Sequence, residues 1–153
     1  MRVVIQRVKK ASVKVDNKVI GKIGQGLVIL LGVGKGDENI KYQISNIKKL
    51  TEKIVNLRIF ENKGSHFDKS LLDVRGEVLV VPQFTLYADT SKGRRPYFGQ
   101  AAKPGIAKKL FEKFVEILKE KGVKVEKGLF GAKMEVELVN DGPVTIILES
   151  RNG

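Results

Sequence analysis

The stretch GLVILLGVG, residues 26–34, is an unbroken apolar run with glycine at both ends. It is short and has no polar alternation, so it reads as a strand covered on both faces. Immediately after it the period changes. Ile40, Ile44, Ile47, Leu50, Ile54 and Leu57 recur at spacings of three and four, the pattern of an amphipathic helix with Asp37 as N-cap. A doubly covered strand feeding a one-sided helix calls for layers.

Outward from this unit the same logic applies. MRVVIQRV (1–8) and ASVKVD (11–16) alternate and are rich in Val and Ile, so both read as strands. Residues 61–76 read as a polar loop, and EVLVVPQFTLYAD (77–89) as strand-like on both sides of Pro82. TSKGRRPYFGQAAKPG (90–105) is a basic loop. Pro104 opens a second helix with Ile106, Leu110, Phe114, Ile117 and Leu118 on one face and Gly122 as its stop. VKVEKG, MEVELV and VTIILES supply closing strands. Between the last two, Asn140-Asp141-Gly142-Pro143 resembles a hairpin turn, although Pro143 stands where a returning strand should begin. The expected fold is a single layered α/β domain over 1–153. Its mixed β-sheets form barrel-like layers, with the two amphipathic helices on one face.

Composition narrows the function classes. The chain has 153 residues and no cysteine, which removes disulfides and thiolate metal sites. No apolar stretch approaches the ~18 residues of a membrane span, and the start has no secretory pattern. A soluble, cytoplasmic protein is expected. With 29 Lys+Arg against 17 Asp+Glu the net charge is +12. Such a field attracts polyanions, nucleic acid first, although a Lys- and Glu-rich surface also suits a heat-adapted protein.

Several stretches could carry chemistry. Gly32-Val33-Gly34-Lys35-Gly36-Asp37 lacks the Ser or Thr of a P-loop and the spacing of a dinucleotide fingerprint, so it reads as a tight strand-to-helix turn. His66 is the only histidine and sits in a polar segment without companion ligands, so neither a metal site nor a His-based triad is expected. Lys92, Arg94 and Arg95, followed by Tyr97 and Phe98, suit phosphate contacts and base stacking, or equally a solvated loop. Pro82-Gln83-Phe84-Thr85-Leu86 interrupts a strand. Such a break frees backbone N–H groups that could hold an oxyanion, or is simply an edge.

The two breaks together carry a resemblance. PQFTL (82–86) and NDGPVT (140–145), with MRVVIQRV, LLGVGKGD, NLRIF, SLLDV, GEVLVV, DTSKGRRP and FGAKM, resemble the D-aminoacyl-tRNA deacylases from Met1 to about Ser150. The resemblance implies an editing hydrolase that cleaves the ester of D-aminoacyl-tRNA and of mischarged glycyl-tRNA, without cofactor or metal. It implies that Gly142-Pro143 is a Gly-cis-Pro motif reaching across a homodimer interface into the partner's site, where it rejects L side chains. It implies that the N–H groups of Gln83 and Phe84 form the oxyanion pocket, with the Thr85 hydroxyl positioning the substrate or attacking it. The 2′-hydroxyl of the terminal adenosine would activate water, and Lys92, Arg94 and Arg95 would hold the acceptor stem of the tRNA partner. The chain departs from the family's pattern at Pro82, where relatives carry serine, and at Ser65-His66-Phe67-Asp68, where many carry a Met-Asn pair. Two other readings stand beside this one: a non-catalytic basic tRNA- or RNA-binding module, and a phosphate-binding domain built on Gly32 to Asp37.

Overall fold

The computed structural model describes residues 1–150, the side chain of Ile40 excepted. One strand organises the rest. β1 (Arg2–Val15) runs through both of the strands expected at its start. The Lys9-Lys10 pair breaks the alternation without ending the strand, because β8 (Glu135–Glu149) lies antiparallel along it and absorbs the irregularity as register shifts. On its other edge β1 divides its partners: Arg2 to Val8 pair with β3 (Gly26–Gly32), and Ala11 to Val15 with β2 (Lys18–Ile23). Asp16 and Asn17, at φ 49° and 62°, make the tight turn between β1 and β2.

β3 pairs in parallel with β6 (Glu77–Pro82), which in turn pairs in parallel with β7 (Val125–Lys127). The sheet curls until β2 comes against β7: a side chain at Gly21 would meet the Lys127 carbonyl at 3.3 Å. This nearly closed, barrel-like sheet carries α1 (Ile40–Asn56) and α2 (Pro104–Glu120) on one face. Two cores result. Val3, Ile5, Leu27, Ile29 and Val80 pack under the helices, whereas Val8, Ala11, Val13, Val28, Leu79 and Val81 fill the barrel. GLVIL is apolar throughout because its alternate residues serve opposite cores. Among the described residues no helix is long and apolar enough to cross a membrane.

Four local readings change. Asp37 does not cap α1. It closes a 3-10 turn (Lys35–Asp37), is buried, and accepts hydrogen bonds from the Gly34 N–H (2.8 Å) and the Met1 ammonium (2.6 Å). The buried stripe of α1 passes through Gln43, Ile47, Leu50, Thr51 and Ile54. It leaves Ile44 exposed, while Ile40's place in that face lies outside the described residues. Thr51 is tolerated there because its hydroxyl donates back to the Ile47 carbonyl at 2.8 Å. The expected loop at 61–76 contains a hairpin, β4 (Phe60–Asn62) and β5 (Ser65–Lys69), turned by Gly64 at φ 78°. His66 therefore stands on a strand, exposed beside Glu61.

The fourth change concerns the C-terminal pair of strands. They do not form a hairpin, because both halves of β8 run antiparallel to β1 in one direction. Asn140 pairs with Val8 and Thr145 with Gln6, so five steps of β8 oppose two of β1. The four residues Asp141 to Val144 stand opposite Arg7 alone, so this segment loops out of the ladder.

Candidate active site

The run after Pro82 is not a strand. β6 ends at Pro82, and Phe84–Tyr87 turns into a single 3-10 helix. Proline has no N–H to continue the ladder. The Gln83 N–H makes the last ladder-like bond, donating to the Leu31 carbonyl at 2.8 Å. It is therefore not free for an oxyanion, which corrects the expected Gln83–Phe84 pair of donors. In a short helix the first N–H groups have no internal acceptor. Here Leu86 is the first to bond, to the Gln83 carbonyl at 3.3 Å, and the N–H groups of Phe84 and Thr85 find no backbone acceptor among the described residues. These two adjacent donors are what the turn offers.

Glycines seat this turn. A Cβ at Gly32 would lie 2.9 Å from the Gln83 carbonyl, and one at Gly34 would lie 2.6 Å from the Tyr87 ring. The glycine cluster after β3 thus makes room for the turn of the neighbouring strand, which spacing alone could not show. The Gln83 side-chain amide donates to the Thr85 hydroxyl oxygen, so Gln83 keeps a place in the site through its side chain. Phe84 is exposed and meets Phe98 edge-on, with centroids 5.0 Å apart.

Lys92, Arg94 and Arg95 are exposed in the following loop, whose base is pinned at the same end of the sheet. Asp89 and Tyr97 exchange two backbone hydrogen bonds of 2.8 Å, and the Lys35 N–H donates to the Gln100 carbonyl. Ser91 holds the Asp89 carboxyl below the usual carboxylate range by donating hydrogen bonds to it. The structure therefore brings the basic loop and the turn 83–87 to one end of the sheet.

It does not bring Gly142 and Pro143 there. Pro82 pairs with Leu31 and Leu31 with Val3, whereas the looped-out segment lies opposite Arg7. At ~3.3 Å per residue and ~4.8 Å per strand, the two motifs are separated by about 13 Å along β1 and about 14 Å across the sheet. The Gly142–Pro143 peptide bond is cis and Gly142 has φ 122°. Arg7, almost wholly buried, holds this segment: its Nε donates to the Asp141 carbonyl at 3.0 Å and its Nη1 to the Ile59 carbonyl at 2.6 Å. Sequence reasoning missed Arg7 although a signal was present. Val3, Ile5 and Arg7 share one parity in β1, so period two alone aims the arginine inward.

This arrangement defines a class: a barrel-like α/β domain with a 3-10 turn after β6 whose first backbone N–H groups find no backbone acceptor among the described residues. Comparison with known proteins identifies the family. Residues 4–149 match the family described as D-Tyr-tRNA(Tyr) deacylase. The chain is 56% identical to the D-aminoacyl-tRNA deacylase of Thermosipho africanus, covering 99% of this chain and 98% of that protein. It is 57% identical to the one from Aquifex aeolicus, covering 99% of each. Among solved structures, one titled c-Myc DNA Unwinding Element Binding Protein superposes with TM-score 0.88 at 40% identity over 99% of both chains. A probable eukaryotic D-amino acid tRNA deacylase shares the fold, with TM-score 0.84 at 18% identity over 96% of this chain and 97% of that one. The chain belongs to the D-Tyr-tRNA(Tyr) deacylase family and is a hydrolase of the aminoacyl-tRNA ester.

Proposed function

We propose that the enzyme edits charged tRNA in the cytoplasm, removing D-amino acids and mischarged glycine while sparing L-aminoacyl esters. The observation that carries this reading is the pair of N–H groups at Phe84 and Thr85, which have no backbone acceptor among the described residues and stand at one end of the sheet with a basic loop. Two adjacent donors suit the oxyanion that develops when an ester carbonyl is attacked. The Thr85 hydroxyl already accepts a hydrogen bond from Gln83, which suits a positioning group better than a nucleophile. Water activation then falls to the 2′-hydroxyl of the terminal adenosine.

Chirality is assigned to Gly142 and Pro143 of a second copy. The distance between the two motifs within one chain supports this, and so does the outer edge of β8, which pairs with no strand among the described residues. An edge of 15 residues, with Ile147 64% exposed beside Val4, invites pairing. A homodimer would cover it and deliver each looped-out segment to the other copy's turn. Backbone carbonyls facing the α-amino group would leave no space for an L side chain, and glycine would pass. Incubating the enzyme with D-tyrosyl-tRNA and L-tyrosyl-tRNA tests the reading: the D ester should be lost and the L ester kept. Equal loss of both sinks it.

Lys92, Arg94 and Arg95 are assigned to tRNA phosphates. Replacing all three with Ala should raise KM for charged tRNA and flatten the slope of log KM against log salt by about 2 to 3, with kcat little changed. The non-catalytic RNA-binding alternative predicts salt-sensitive binding with no ester turnover, so the same assay separates the two.

A further inference from the structure

We propose that Arg2 is a positioning residue that holds the reactive turn from its C-terminal side, so that the Phe84 and Thr85 N–H groups stay aimed at the ester. This rests on the reading of those two groups as the oxyanion donors. The N-terminal side of the turn is fixed by the Gln83 N–H on the Leu31 carbonyl. On the other side the Arg2 Nη1 donates to the Leu86 carbonyl at 2.7 Å. Among the described residues this is the one hydrogen bond from a side chain to the turn's backbone.

The same guanidinium makes two further contacts. Its Nε donates to Glu149 Oε1 at 2.6 Å, and its centre lies 5.1 Å from the centroid of the Tyr87 ring. Tyr87 in turn lies over Gly34, with its hydroxyl 3.5 Å from Asp37 Oδ2. Burial, reinforced by the Asp37 carboxylate, pushes the Tyr87 hydroxyl well above its ordinary range, so it stays protonated and can donate to Asp37. The ring thus packs between the Gly34 backbone and the guanidinium. A planar fork that donates in two directions while stacking is something only arginine supplies.

Position, not stability, is the natural role of this contact. The Arg2 and Glu149 side chains are 38% and 56% exposed, and exposed ion pairs contribute little to stability. A backbone donor shifted by a fraction of an ångström, by contrast, loses much of its effect on a developing charge.

Arg2→Ala should therefore lower kcat for D-tyrosyl-tRNA about ten- to thirty-fold. KM should stay within about two-fold and the melting temperature within about 2 °C. Arg2→Lys can reach Glu149 or Leu86 but not both, so it should recover part of kcat. Amide ¹⁵N spectra of both variants should show the Phe84 and Thr85 signals displaced, most in Arg2→Ala. A rise in KM with kcat unchanged would make Arg2 a tRNA contact and overturn the proposal. If kcat and both amide signals stay put, Arg2 has no positioning role and the donor reading survives. If the signals move and kcat does not, the donor reading fails and the proposal falls with it.

Discussion

Arg7→Met should lower the free energy of unfolding by about 3–5 kcal/mol, the largest loss expected from one side chain outside the apolar cores. Arg7 is 3% exposed and reaches two carbonyls, that of Ile59 in the connection between α1 and β4 and that of Asp141 in β8. Glu61 and Asp141 carboxylates stand 3.8 and 3.6 Å from it. Methionine fills a similar volume but donates nothing, so both carbonyls lose their partner, at about 1–3 kcal/mol each. Against a domain stability on the order of 10 kcal/mol this is a large fraction. It should appear as a lower urea midpoint at unchanged slope. Arg7→Lys should fall between the two, since an ammonium cannot span both carbonyls from one fork. An unchanged midpoint in Arg7→Met would show that water replaces the guanidinium at no cost.

What could be read from the chain follows from which interactions are local. The apolar run of 26–32 and the Pro104-to-Gly122 helix announce themselves because periodicity and caps act within a few residues. The two signature stretches were legible as breaks, since proline lacks an N–H wherever it stands. Three things were not local. The phase of α1 at residues 43 and 44 is set by what the helix packs on, and there an isoleucine lost to a glutamine. The use of the Gln83 N–H by Leu31 depends on the parallel pairing of β3 with β6, which the alternation of either strand does not encode. The division of β1 between β2 and β3 likewise arises from barrel curvature. Charge misled least where it was vaguest: +12 pointed to a polyanion, but only the fold brings Lys92, Arg94 and Arg95 to the end of the sheet that holds Phe84 and Thr85.

Gly142→Ala should reduce hydrolysis of D-tyrosyl-tRNA about 100-fold or more, a loss of roughly 2.7 kcal/mol in transition-state stabilisation. The added Cβ would stand 3.0 Å from Arg7 Nη2 and from Val144 Cγ2, and 3.2 Å from the Val144 nitrogen. Of these only the arginine end could yield, and it is buried and doubly bonded. The backbone at φ 122° is itself one that L side chains rarely adopt, at a cost of about 1–3 kcal/mol. The segment must therefore shift, and with it the carbonyls assigned to chiral selection. A mixing experiment locates the defect. Thr85→Pro removes a donor of the turn in one chain, and Gly142→Ala removes the filter in the other. Each variant alone should be nearly inactive. If the filter serves the partner's turn, half of a randomly reassembled mixture consists of mixed dimers, each with one intact site of two. Activity should then return to about a quarter of the unaltered enzyme's. No recovery on mixing, with mixed dimers verified by mass, would place the filter and the turn in the same chain and overturn the cross-subunit scheme.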